Sequence, residues 1–202
     1  MRPAGYREAL VEYIRAQAQP PDKFSHQARL YRLAVQLTDG RPFDDDVVFA
    51  AAWLHDLGVF VGHRPTDLAA LAAWDNVAYA MHETPALLKR FDFPVEKIPA
   101  VVELIRTHQP AAEPTCFEAE LLHDADILEQ LGAVGILRLV SKVGRDTRFV
   151  RFGDALNALR RNAADLPSRL RLPAARRLAE PRLTVLRAFL EAAQAEADGV
   201  GW

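Results

Sequence analysis

The stretch DKFSHQARLYRLAVQLTDG, residues 22–40, decides the fold class. Its His26, Leu30, Leu33 and Leu37 recur at four- and three-residue steps, the spacing of one helix face, and Gly40 follows as a stop signal. The same period continues outward in both directions. Tyr6 to Gln17 sets Leu10, Tyr13 and Ile14 on one face before the Pro20-Pro21 break. The acidic run Asp44-Asp45-Asp46 complements a helix N-terminus and introduces the apolar run Val47 to Leu54, with Gly58 marking the end of that helix. Asp67 to Met81 reads as another helix. Thr84-Pro85 reads as a cap with proline at the first helical position, and Phe93-Pro94 repeats the arrangement before Val95 to His108. Thr115 and Glu118 form a capping box for a long helix to about Val143. Gly153 to Asp165 and Pro173 to Ala197 supply two more. No stretch alternates apolar and polar residues over six positions. The expected fold is all-α.

Composition narrows the function classes. The 202 residues are 50% hydrophobic and 26% charged, the balance of a soluble globular protein. A formal net charge of −2 argues against a nucleic-acid polymer held by a basic surface. The single cysteine, Cys116, can make neither an intramolecular disulfide nor a thiolate zinc site. The apolar run Val47 to Leu54 is eight residues, too short to span a bilayer, so no membrane partner is expected. The N-terminal MRPAGYREAL lacks a signal-peptide apolar region, and a cytoplasmic location is expected.

The chemistry lies in the histidines and in a few carboxylates among leucines. His26 lies on the apolar face of its helix, and His55-Asp56 follows the buried-looking Ala51-Ala52-Trp53-Leu54. His108 falls in line with Val101, Leu104 and Ile105, and Asp124 with Leu121, Leu128 and Leu131. A lone carboxylate on an apolar face is costly to bury. Imidazoles and carboxylates converging on one cation would satisfy all of them, and that donor set suits Mn, Fe, Ni, Co or Zn. The plain alternative is a set of separately satisfied core residues, with Asp124 accepting from a backbone N–H.

The order His26, His55-Asp56, His82, His108, Asp124-Ala125-Asp126 resembles the H…HD…D signature of the HD-domain superfamily of metal-dependent phosphohydrolases. Asp124-Ala125-Asp126-Ile127-Leu128-Glu129 and the later Gly132-Ala133-Val134-Gly135-Ile136-Leu137-Arg138 look like one bacterial branch of small, single-domain members that includes nucleotide pyrophosphohydrolases. The segment Leu166 to Glu196 is similar to that branch as well. The resemblance implies a compact helical HD domain over residues 1–202, with a metal-binding core at about 22–143 and a C-terminal helical extension at about 144–198. It implies His26, His55, Asp56 and Asp126 as metal ligands. Helix periodicity instead groups Asp124 with the leucines, so Asp124 stays in reserve. His82 and His108 would bind phosphate or complete a second metal site. Ile127 stands where relatives often carry Arg or Lys, which removes a cation from that position.

The activity implied is hydrolysis of a small phosphate ester, nucleotide or nucleoside triphosphate by water that a divalent ion, Mn or Fe first, has activated. His63, Arg64 and Arg138 are candidate substrate-binding residues, with solvated loop and helix faces as their plainer reading. A homodimer is compatible with this reading. Three competing readings share the ligands: a dinuclear-iron oxygenase, a hydratase of a small nitrile-like molecule, and a degenerate module acting through protein contacts. The 18-residue interval from His108 to Asp126 and the branch-like C-terminus favour the hydrolase.

Overall fold

The computed structural model describes residues 5–198, so Met1 to Ala4 of the N-terminal stretch read above lie outside the described residues. These residues form ten α-helices: α1 (Tyr6–Gln17), α2 (Asp22–Leu37), α3 (Asp45–Leu54), α4 (Leu68–Ala72), α5 (Asn76–Arg90), α6 (Ile98–Thr107), α7 (Phe117–Glu129), α8 (Gly132–Val140), α9 (Phe152–Asp165) and α10 (Pro173–Glu196). Short 3-10 turns sit at Leu57–Val59, Val95–Lys97 and Leu166–Arg169. No strand occurs among the described residues, in agreement with the all-α reading, and Val61 and Arg64 make an isolated bridge. No described helix is long and apolar enough to cross a membrane.

The chain divides into two compact units, one ending at His123 and the other beginning at Asp124. The first is built around α3, whose residues Val47 through Leu54 are all buried, with α1, α2 and α6 packed against it. A helix apolar on every side has no solvent face on which to place polar groups. Its N-terminus therefore carries the charge. The Asp44 side chain caps it by accepting from the amides of Asp46 and Val47, both at 3.2 Å. Lys97 Nζ lies 2.9 Å from Asp44 and 3.0 Å from Asp46, and Arg7 Nη2 lies 2.8 Å from both Asp45 and Asp46. Tyr6 donates to Asp46 and Tyr31 to Asp45, so the acidic run ties α1 and α2 to the start of α3.

In the second unit α8, α9 and α10 pack against one another. Phe149, Ala155 and Ala158 form a small core with Leu139 and Val143 around them. Asp124 is fully buried, and its carboxylate accepts from the amide of Arg171 at 2.9 and 3.0 Å and from that of Leu172 at 2.7 Å. It thereby fixes the chain entering α10.

Three expected elements differ from those observed. The helix expected from Thr115 to about Val143 is two helices, because Gly132 has φ +68°, a conformation that costs little only for glycine. Gly135 then packs so closely that a Cβ there would stand 2.3 Å from the Gln130 carbonyl oxygen. The Asp67 to Met81 segment is also divided, since Asp75 caps a new helix by accepting from Val77 and Ala78 at 3.0 and 2.9 Å. That helix continues through Thr84-Pro85, so Pro85 lies inside α5 and Thr84 Oγ1 donates to the Ala80 carbonyl at 2.7 Å. The side chains of Thr115 and Glu118 reach other partners: Thr115 donates to Glu103 at 2.9 Å, and Glu118 accepts from the Asp44 amide at 3.0 Å.

Removing the Asp124 carboxylate strands one buried and one part-buried amide. Asp124→Ala is expected to cost about 1–3 kcal/mol, a fall in Tm of about 2–12 °C in a chain of this size. Thermal melts followed by circular dichroism check this, and an unchanged melt would remove Asp124 from its bracing role.

Candidate metal centre

The other end of α3 carries the chemistry. His55 is its C-cap residue, and Asp56 follows at the start of the Leu57–Val59 turn. Helix C-termini gather carbonyl oxygens and the negative half of the helix dipole, which favours a cation there. His26 comes from α2, which packs along α3.

The ring protons are set by the backbone. His55 Nδ1 lies 3.0 Å from the Ala52 carbonyl oxygen. A carbonyl only accepts, so Nδ1 carries the proton and Nε2 carries the lone pair. Metal-bound histidines are held in this way, the distal N–H donating to a carbonyl or carboxylate. His26 Nε2 lies 3.3 Å from His55 Nε2, and Asp56 Oδ2 lies 3.7 Å from each. Two donors bonded at about 2.1 Å to one tetrahedral or octahedral ion stand about 3.0–3.4 Å apart. The imidazole pair has that separation, and the carboxylate is a few tenths of an ångström beyond it.

Among the described residues, His26, His55 and Asp56 are the group whose ligand atoms all lie within 4.8 Å of one another. Both histidines are buried, and the Asp56 side chain is 20% exposed. Burial pushes the Asp56 carboxyl up, but His55, His26, Lys23 and His108 act in the opposite sense and hold it well below the usual carboxylate range. The carboxylate is thus kept ionised, as a metal ligand must be.

His108 joins this group. It is buried at the C-terminus of α6, its ring centroid 4.9 Å from that of His55 at 74°. Its Nδ1 lies 2.6 Å from the Ile105 carbonyl oxygen, so its lone pair also falls on Nε2. His82 does not join it. That side chain is 84% exposed on α5, with Nδ1 2.9 Å from Glu83 Oε1.

His63 has both ring nitrogens engaged, Nδ1 with the Tyr79 hydroxyl at 2.9 Å and Nε2 with Gln17 Oε1 at 2.8 Å. It ties the loop after the His-Asp pair to α1 and α5. Arg64, beside it, is half-buried.

The remaining expected residues belong to the second unit. Asp126 is buried, and its Oδ2 accepts from Gln130 Nε2 at 3.2 Å. Arg138 is half-buried, with Nη1 3.4 Å from the Glu129 carbonyl oxygen and 3.7 Å from the Glu129 carboxylate.

His55→Ala is expected to abolish tight divalent-metal binding while far-ultraviolet circular dichroism stays helical; elemental analysis of the purified variant checks it, and full metal occupancy would refute the centre. Burial lowers the His63 pKa and the nearby Glu83 charge opposes this, so the ring is expected to titrate below the ordinary value of about 6.5. The fold favours the neutral ring. This stabilisation is present above the unfolded-state pKa and is lost as pH falls through the folded-state value. An NMR titration of His63 gives the sign directly, and a midpoint above that of an unfolded histidine would contradict it.

A family model described as the HD domain matches residues 24–131. Among solved structures, the chain is similar to a predicted HD-superfamily hydrolase from an uncultured Thermotogales bacterium, at 23% identity and TM-score 0.65 over 95% of this chain and 93% of that one. An HD-superfamily hydrolase from Bacillus thuringiensis matches at 20% identity and TM-score 0.68, over 96% and 97% of the two chains. Bacillus subtilis YpgQ in complex with ADP matches at 20% identity and TM-score 0.67, over 96% of this chain and all of that one. No match was found among curated proteins.

Proposed function

The chain belongs to the HD domain family of metal-dependent hydrolases, and on that premise we propose that it hydrolyses a small phosphate ester or nucleotide at the centre formed by His26, His55 and Asp56. The observation that carries this reading is the facing pair of Nε2 atoms 3.3 Å apart, with the His55 tautomer set by Ala52. Two imidazoles and a carboxylate suit a first-row divalent ion, Mn or Fe before Zn. Such an ion supplies Lewis acidity toward a phosphoryl oxygen and lowers the pKa of water near it.

The protein's own groups do the rest. With an ion bound, His26 and His55 would give up any Nε2 proton, present lone pairs and contribute no charge. Asp56 contributes one negative charge, and its two oxygens let it serve the ion through one and orient a water through the other. His108, with Nδ1 committed to Ile105, has Nε2 left for substrate, and a proton taken up there would let the ring donate to a phosphoryl oxygen. The ADP held by YpgQ, a relative of the same fold, supports a nucleotide as the substrate class.

The test is phosphate release from para-nitrophenyl phosphate and from nucleoside di- and triphosphates. Chelation should abolish it and a divalent ion should restore it. His108→Ala is expected to slow turnover about 10²-fold, as loss of one transition-state donor commonly does, with metal content unchanged by elemental analysis. A chain that releases no phosphate with any of these substrates and ions would overturn the reading.

A further inference from the structure

The triad is offered by two stretches of chain. His26 lies one turn into α2, which the connection from Ala18 to Pro21 leads into. Asp56 lies past the end of α3, where the turn Leu57–Val59 leads away. Packing of α2 on α3 therefore positions the two imidazoles and leaves the carboxylate to the departing segment. That segment is strapped to the arriving one. The Val61 amide donates to the Gln19 carbonyl at 3.2 Å, and two residues further along His63 Nε2 lies 2.8 Å from Gln17 Oε1. With the Gln17 oxygen as acceptor, Nε2 carries the proton, and Nδ1 accepts from the Tyr79 hydroxyl at 2.9 Å. Phe60 is fully buried and stands edge-on to the His63 ring, the centroids 6.2 Å apart. On the other flank Trp74 Nε1 donates to the Gly58 carbonyl at 2.8 Å, and a Cβ on Gly58 would stand 2.5 Å from the Asn76 carbonyl oxygen. The chain from Gly58 to His63 is thus held between the end of α1 and the start of α5, and the His63 side chain reaches both.

Affinity for an ion falls by whatever free energy is needed to bring its donors to bonding separation and hold them there. Asp56 Oδ2 stands 3.7 Å from each imidazole Nε2, and the strap fixes the chain that carries it. We infer that His63 is a positioning residue for the metal centre: through Gln17 it holds the Asp56 carboxylate against His26 and so raises metal affinity, touching neither ion nor substrate. Phosphate binding by His63 gives way to this role, since both ring nitrogens are committed within the protein. The inference rests on His26, His55 and Asp56 being the metal ligands and is independent of the reaction they serve. The competing role is loop packing, in which His63 contributes stability alone.

The experiment measures Mn²⁺ affinity by calorimetry and the visible absorption of the Co²⁺-loaded protein, which reports ligand number and geometry. It compares the parent with His63→Ala, His63→Gln, Gln17→Ala and the double variant of His63→Ala with Gln17→Ala, each with a thermal melt. Tyr31→Phe is the control, since it removes a 2.6 Å bond from α2 to Asp45 at the far end of α3. His63→Ala is expected to weaken Mn²⁺ binding about tenfold, the worth of one hydrogen bond, and to change the Co²⁺ spectrum. Gln17→Ala should do the same, and the double variant should add little to either, because both changes remove one bond. His63→Gln, whose amide can donate from near the Nε2 position, should recover part of the loss. Tyr31→Phe should lower Tm and leave metal affinity at the parent level. If His63→Ala and Gln17→Ala bind Mn²⁺ like the parent and only melt lower, His63 is loop packing and the inference fails; should His63→Ala not fold, Gln17→Ala decides. An equal loss of affinity in Tyr31→Phe would tie metal binding to general stability and overturn the inference as well. A parent that binds neither ion refutes the metal centre and this inference with it. A parent that binds Mn²⁺ and releases no phosphate ends the hydrolase reading, while the same affinities still judge His63.

Discussion

A helix covered on all sides by other helices can show polar groups only at its two ends, and α3 is such a helix. Every residue from Val47 to Leu54 is buried. At the N-terminal end, exposed amides and the positive half of the dipole are met by Asp44, Asp45 and Asp46, whose charges are balanced by Arg7 and Lys97. At the C-terminal end the surplus is of carbonyl oxygens, and the chain places His55 and Asp56 there. One end is charge-balanced internally. The other gathers two imidazoles and a carboxylate that could hold a metal ion.

The His-Asp pair works because its neighbours are backbone. The Ala52 carbonyl fixes His55 and the Ile105 carbonyl fixes His108, each belonging to the last turn of the same helix as its ring. Neither ring needs a long-range partner to take the right tautomer. Helix ends can therefore hold ring nitrogens in a fixed tautomer without help from elsewhere in the bundle. α2 contributes differently, offering His26 from inside its span with Lys23 a turn earlier.

Much of this was legible in the residues, for reasons that can be stated one by one. The period of His26, Leu30, Leu33 and Leu37 identifies a packed helix, and an all-apolar run of eight residues identifies a buried one. The grouping of His26 with His55 and Asp56 came from resemblance, since spacing alone cannot say that two helices meet. The break at Gly132 was not read, because a glycine in a helical pattern signals a left-handed turn only when its neighbours demand one. Thr84-Pro85 misled for the converse reason: Pro is tolerated inside α5, where the Thr84 hydroxyl bonds back to Ala80. Periodicity correctly placed Asp124 among leucines but is silent on its partners, two amides nearly fifty residues away in α10's entry. The exposure of His82 was equally invisible, since order along the chain carries no information about which side of α5 faces solvent.

The all-round burial of α3 also bears on how this chain can vary. An amphipathic helix tolerates change along its outer stripe, and its tolerance profile rises and falls with the helical period. α3 has no outer stripe. Ala50, Ala51 and Ala52 are three consecutive positions with no exposure at all. Growth at any of them presses on a packed helix, and shrinkage of Val47, Val48 or Leu54 opens a void. Variation should therefore be suppressed in an unbroken band running up to His55. Within such a band, intolerance at a given position says nothing about catalysis, and the His-Asp pair has to be recognised by its chemistry.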